Sequence, residues 1–370
     1  MNDLSKKADG SVASDAADRS NPDYIVSVRF SDFEQEMAER FGQRFVDYRR
    51  DYYKTLNYDK NGFLPDFPLT LQLELVNRCN LSCKMCYTIN HSEPKATLDI
   101  DTLTRVFKEG QENGLPALML GMGAESLVYK PIRDVVDAAL DAEIMDIFFS
   151  TNGILLNEKM ARFLVEREIP RLVISLDAAT PETYVKIRGK DELPKIEENI
   201  HRLVAIKKEL GTRFPVLRLS FCVQEENYHE RQAFLDKWKD VADYVDFQQL
   251  VDFEPVTELV ETGDVTEKPQ QPAGMDHPVC QYPFNSLNIW ANGDITPCCT
   301  FFGKALVLGN VKDRTLKDVW NSPEIETIRD QFRPGGTLCP TCEVCLYSRE
   351  EENFTDTKDV GSANGKQAAE

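Results

Sequence analysis

Between residues 69 and about 252, short apolar runs alternate with stretches of helical periodicity, and nothing else in the chain narrows its fold so far. The candidate strands span 69–76, 117–120, 145–149, 172–176, 216–223 and 244–251. Strands that are each followed by a helix pair in parallel, because the crossover brings the chain back to the same edge of the sheet. Six such units fall short of the eight strands of a closed barrel, so the expected fold class is α/β, an open partial (β/α)6 barrel.

Side chains at i and i+2 of a strand share a face. In the first run Leu69, Leu71, Leu73 and Leu75 take one face and Thr70, Gln72 and Glu74 the other. Arg218, Ser220 and Cys222 stand together in the fifth run, and Ser175 and Asp177 in the fourth. A parallel strand covered on both faces should be apolar on both. These polar sets therefore indicate a lumen that holds a polar ligand, or buried side chains that hydrogen-bond one another.

Residues 1–22 and the tail 350–370 are polar and poor in large apolar side chains, and both are expected to be disordered. Within 23–68, Phe33, Met37, Phe41, Phe45, Tyr48 and Tyr52 recur at helical spacing. That spacing predicts a helical extension whose aromatic face caps the barrel or docks a peptide. The remaining division is a barrel over 69–255 and a small auxiliary domain over 256–349. With 43 basic against 62 acidic residues, a net charge of −19, the chain lacks the clustered cations of a nucleic-acid or anionic-membrane surface. No apolar run approaches the roughly 18 residues of a membrane span, and the first residues lack signal-peptide character, so the expected location is cytoplasmic. Ten cysteines would be kept reduced there, and clustered thiols then point to metal ligation or catalysis before disulfides.

Cys79-Asn-Leu-Ser-Cys83-Lys-Met-Cys86 follows the first strand directly. Three thiolates so close in sequence can wrap one metal centre, and thiolate-only ligation selects iron–sulfur clusters or zinc. A cubane [4Fe–4S] cluster held by these three would keep one iron open for chemistry. The run, followed by Tyr87, resembles the signature of the radical S-adenosylmethionine superfamily, and further segments arrive in that family's order. Gly123-Ala124-Glu125-Ser126 resembles its Gly-Gly-Glu-Pro motif, which contacts the amino group of the methionine moiety; Ala and Ser stand in for the second Gly and the Pro. Ser150-Thr151-Asn152-Gly153 is similar to the segment near the ribose and methionine. Ser175, Asp177 and Arg188 stand where related enzymes recruit polar groups for the ribose and the carboxylate, and Asn227 matches the adenine-side segment. The resemblance implies S-adenosylmethionine and a [4Fe–4S] cluster as cofactors and an electron donor of the flavodoxin or ferredoxin type. It also implies a 5′-deoxyadenosyl radical that abstracts hydrogen from an unactivated C–H.

Farther on lie Cys280, Cys298 and Cys299, then Cys339-Pro-Thr-Cys342-Glu-Val-Cys345. From Leu287 to Cys298, within the first group, the segment reads as a strand, an Asn-Gly turn and a strand. The spacing from Cys280 to Gly293, with four residues between Gly293 and Cys298, resembles the auxiliary-cluster region of SPASM and twitch domains. That resemblance implies one auxiliary [4Fe–4S] cluster with Cys280, Cys298, Cys339 and Cys342 as ligands, Cys345 as substitute and Cys299 as spare. A structural zinc site built from four of these cysteines is the competing reading.

Two function classes follow. In one, the chain oxidises or epimerises a carbohydrate-like small molecule, a sugar or cyclitol, with the auxiliary cluster as electron conduit. In the other it crosslinks or epimerises a ribosomal peptide. Gln72, Glu74, Arg218, Gln248 and Asp252 suit hydroxyl recognition, and Glu74 or Asp177 is a candidate base. Cys222 is a candidate hydrogen-atom donor to a substrate radical, or else a small core residue.

Overall fold

The computed structural model describes residues 26–29, 32–89, 94–250, 279–299 and 301–347. The two ends expected to be disordered, Asp252, and the expected boundary between barrel and auxiliary domain lie outside these residues. The strands are β1 Val26–Arg29, β2 Thr70–Leu73, β3 Ala117–Leu120, β4 Asp146–Thr151, β5 Arg171–Ser175, β6 Val216–Val223, β7 Tyr244–Gln249, β8 Ser286–Ile289, β9 Asp294–Thr296 and β10 Gly309–Asn310. They form one sheet in the order β1-β7-β6-β5-β4-β3-β2-β8-β9-β10. From β2 to β7 each strand runs parallel to the next, which is the expected open (β/α)6 arrangement.

The outer face of this sheet is apolar. Leu71, Leu73, Leu118, Leu120, Ile147, Phe149, Leu172, Ile174, Leu217 and Leu219 are all buried in the main core, beneath the crossover helices. Those helices are α3 Ile100–Glu112, α4 Ile132–Asp141, α5 Glu158–Glu166, α6 Pro181–Arg188, α7 Leu193–Leu210 and α8 Arg231–Trp238, after α1 Phe33–Phe41 and α2 Gln43–Thr55 at the N-terminal side. Asp99, Asn157 and Thr180 cap the N-termini of α3, α5 and α6 by accepting the N–H of Thr102, Met160 and Thr183. Among the described residues, no helix is long and apolar enough to cross a membrane.

Two pairings go beyond the sequence expectation. Residues 26–29, expected within a helical extension, form β1 and pair antiparallel with β7. The strand after Cys280, β8, pairs parallel with β2 and turns back into β9, so the segment expected as the auxiliary domain continues the barrel sheet. The expected amphipathic helix is also divided: Gly42, at φ +61°, separates α1 from α2.

Both halves of that divided helix cap the barrel. Phe33, Met37, Phe45 and Tyr48 pack with Leu69, Ala117, Met145, Phe214 and Val216, at the N-terminal ends of the strands. Beneath the cap Tyr48 Oη donates to Asp146 at 3.3 Å, and Arg171 donates to both oxygens of Asp146 at 2.8 and 2.6 Å. Next to them Arg218 pairs with Asp246 at 2.9 Å. At this end the polar strand residues satisfy one another, and Arg218 has a carboxylate partner within the chain.

Candidate active site

The other end of the sheet is built from loops. After β2 the chain enters the cysteine loop, whose approach is pinned by Asn77: its amide donates to Pro94 O and accepts Ala96 N–H, both at 2.8 Å. Within the loop Cys79 is exposed, Cys83 buried and Cys86 half-buried. Each sulfur has a polar partner. Leu81 N–H points at Cys79 Sγ (3.5 Å), Arg188 Nη1 at Cys83 Sγ (3.3 Å), and Thr88 Oγ1 meets Cys86 Sγ (3.0 Å). Donors around sulfur suit thiolates that hold a cluster. Burial pushes the Cys79 and Cys83 thiols up, a penalty that a bound metal offsets by taking the proton's place. Tyr87 follows, half-buried, in the single turn Tyr87–Ile89.

The loops after β3 and β4 are joined by Glu125, 4% exposed. Its carboxylate accepts Leu127 N–H at 3.0 Å, Thr151 Oγ1–H at 2.7 Å and Asn152 N–H at 2.7 Å, although burial raises its pKa. Asn152 in turn donates to Asn80 Oδ1 at 2.7 Å, tying this corner to the cysteine loop. Gly123, at φ +76°, comes so close to Glu74 that a Cβ there would overlap Glu74 Oε1. Ala124 N–H closes a turn onto Met122 O at 2.9 Å. Glu74, 2% exposed, accepts Ala291 N–H from the β8–β9 turn at 3.1 Å, so the candidate base links the first barrel strand to the C-terminal hairpin. Ser150 and Ser175 are half-buried on the lumen face at the ends of β4 and β5.

Beyond β5, Asp177 adopts φ +62° and accepts Cys222 N–H at 2.7 Å, while its other oxygen pairs with Arg188. Asn227, fully buried, donates to the carbonyls of Asp177 and Cys222, each at 2.8 Å, and accepts Gln224 N–H at 2.8 Å. Glu230 accepts Ala179 N–H at 2.6 Å and the hydroxyls of Thr180 and Thr183 at 2.6 and 2.7 Å. Asp177, Arg188, Cys222 and Asn227 are thus brought together, with one another as partners. The parts of Asn80 and Glu230 were missed in the sequence, since each acts across a non-local contact that no local motif marks.

The C-terminal cysteines gather around the β8–β9 hairpin. Gly303 packs so tightly on the end of the hairpin that a Cβ there would lie 2.7 Å from Cys298 Sγ. The helix Pro340–Tyr347 presents Cys342 toward the same place: its thiol is pushed up by a hydrogen bond with Cys339 and by burial, and Cys298 and Cys280 lie close enough to add to that shift. Among the described residues no three His, Cys, Asp or Glu side chains converge tightly enough to hold a single metal ion.

Comparisons with known proteins agree with this layout. The Radical SAM superfamily model matches residues 73–237, and the SPASM iron–sulfur cluster-binding domain model matches residues 280–346. The tungsten-containing aldehyde ferredoxin oxidoreductase cofactor-modifying protein of Pyrococcus furiosus is 23% identical over 327 residues, covering 78% of this chain and 90% of that one. A probable GTP 3′,8-cyclase of Methanococcus maripaludis is 25% identical over 187 residues, half of this chain and only 60% of that protein's length. Streptococcus suis SuiB bound to precursor peptide SuiA superposes with a TM-score of 0.56 at 18% identity, covering 82% of this chain and 75% of SuiB, a likeness of fold. Together the two domain models account for more than half of the chain, in the order that its motifs require. This chain belongs to the radical S-adenosylmethionine superfamily, with S-adenosylmethionine and a [4Fe–4S] cluster as its cofactors and a SPASM domain for auxiliary iron–sulfur.

Proposed function

We propose that the chain removes a hydrogen atom from a carbon of a hydroxyl-bearing small molecule, a sugar or cyclitol, held in the lumen, and inverts or oxidises that centre. Bound S-adenosylmethionine and its cluster supply the 5′-deoxyadenosyl radical that makes an unactivated C–H reactive. Cys79, Cys83 and Cys86 would hold that cluster. Cys280, Cys298, Cys339 and Cys342 would hold one auxiliary [4Fe–4S] cluster, a reading supported by their grouping around the hairpin.

The observation that carries the reading is Cys222. By register it shares the lumen face with Ser220 and stands beside Gln248, with its backbone N–H fixed by Asp177 and its carbonyl by Asn227. Burial pushes its thiol up to about 12, so the sulfur keeps the hydrogen that a carbon radical can take. In inversion, the substrate carbon loses hydrogen on one face and takes the Cys222 S–H hydrogen on the other. The sulfur is then short of one electron and one proton; a low-potential carrier of the flavodoxin or ferredoxin type supplies the electron and solvent the proton. Oxidation would instead need a base. The two candidates, Glu74 and Asp177, are both buried and already engaged, Glu74 by Ala291 N–H and Asp177 by Cys222 N–H and Arg188, so inversion is the better supported branch.

Iron analysis with EPR tests the cofactor set: about eight irons are expected in anaerobically purified wild type and about four after Cys79→Ala/Cys83→Ala/Cys86→Ala. S-adenosylmethionine should perturb the spectrum of the wild type alone. With a sugar and cyclitol panel in deuterated water, wild type should place one deuterium at the inverted carbon. Cys222→Ala should still release 5′-deoxyadenosine but yield no inverted product. Inverted product from Cys222→Ala, or product free of deuterium, would sink the role of Cys222.

A further inference from the structure

Arg188, 8% exposed, ends α6 with its guanidinium between two partners: Nη1 donates to Cys83 Sγ at 3.3 Å and Nη2 pairs with Asp177, itself 1% exposed. Both partners are tied to the surrounding backbone. The cysteine loop is docked on the end of α6, where Lys84 N–H donates to Ile187 O at 2.9 Å and Lys190 Nζ reaches Asn80 O. Gly189, at φ +77°, lets the backbone approach, since a Cβ there would stand 3.3 Å from Ser82 O. Asp177 is held from the other side by Cys222 N–H and Asn227. The family resemblance implies a place for both residues near the ribose and carboxylate of the cofactor; within the chain they also face each other and a cluster-loop sulfur.

We infer that Arg188 and Asp177 are a positioning pair that sets the reduction potential of the cluster held at Cys83, Arg188 raising it and Asp177 moderating that rise. The inference rests on the assignment of Cys83 as a cluster ligand. Reduction adds negative charge to a cluster, so a cation and an N–H···S bond beside one sulfur favour the reduced form, and a nearby carboxylate disfavours it. The pair is buried, so water screens neither effect well. A clamp that only held the fold would give no reason for the two charges to act with opposite sign.

The test is a redox titration of the full-length holoenzyme by EPR, following the signal that S-adenosylmethionine perturbs, which separates this cluster from the auxiliary one. Arg188→Gln should make reduction about tenfold harder, a midpoint lower by roughly 59 mV for one electron, and Asp177→Asn should move it upward by a similar amount. The double variant should fall between them. Arg188→Lys keeps the charge but not the planar fork, so it should fall between wild type and Arg188→Gln, and it keeps the comparison readable if Arg188→Gln does not fold. Midpoints that stay put, or move the same way, with the cluster retained would overturn the inference and leave the cluster assignment standing. A signal that is absent from wild type, or that persists unchanged in Cys83→Ala, would overturn the assignment and the inference with it.

Discussion

At the N-terminal ends of the strands, Asp146 and Arg171 hold each other under Tyr48 and a cap of Phe33, Met37 and Phe45; at the C-terminal ends, Glu125, Asp177 and Arg188 hold backbone turns and a cysteine sulfur. Both ends bury charge, but they use it differently. Below, each charge neutralises another and apolar packing covers the pair. Above, the charges fix positive-φ turns such as Asp177 and place donors beside sulfur. A parallel barrel that must bind a ligand at its C-terminal mouth can hold its shape from the closed end, which frees the loops of the open end for chemistry.

If that division holds, damage below should cost stability and leave the cluster alone. Phe45, 1% exposed, packs edge-on against Phe33 and Tyr48, with ring centroids 6.3 and 5.8 Å away. Phe45→Ala should lower the unfolding free energy by about 3–5 kcal/mol through lost burial and a residual cavity. Denaturant unfolding measures this, and the spectral response of the folded fraction to S-adenosylmethionine should be unchanged. Loss of that response would show that the two ends are coupled.

Gly123→Ala is the reciprocal experiment. The left-handed φ of +76° costs a side-chain-bearing residue about 1–2 kcal/mol, and the new Cβ would push Glu74 off Ala291 N–H. A stability loss smaller than that of Phe45→Ala is expected, together with a weakened spectral response to S-adenosylmethionine. A variant that loses stability but responds like wild type would mean that the 121–125 turn only supports the hairpin.

Much of the lower end was legible in the sequence. The six parallel strands follow from period-2 and helical patterning, and the aromatic spacing of Phe33, Met37, Phe45 and Tyr48 marked a cap as one of two options. The pairing of β8 with β2 was not legible, because which edge a strand joins is decided by non-local packing. At the upper end the cysteines and Glu125 announced themselves through spacing. Yet the partners of Arg188 and Asn227 did not, since a motif gives order along the chain and says nothing about which buried neighbour takes a side chain's hydrogen bonds.

Glu230 offers the finest test of the upper end, because its charge and its shape can be separated. Burial works against its carboxylate, but the donors from Thr180, Thr183 and Ala179 outweigh it and hold its pKa below the ordinary value of 4.5. Those donors sit at the N-terminus of α6, where negative charge is also favoured by the helix dipole. A carboxyl whose folded pKa is depressed contributes stability that is present above its unfolded pKa, near about 4.3, and is lost as pH falls through the folded value. Glu230→Gln keeps the shape and removes the charge. The variant should therefore be less stable than wild type near neutral pH, with the gap closing below about pH 4. Unfolding curves across that range read it directly: a gap that stays constant with pH would mean that the hydrogen-bond geometry at Thr180, and not the negative charge, holds the turn that leads into α6 and Arg188.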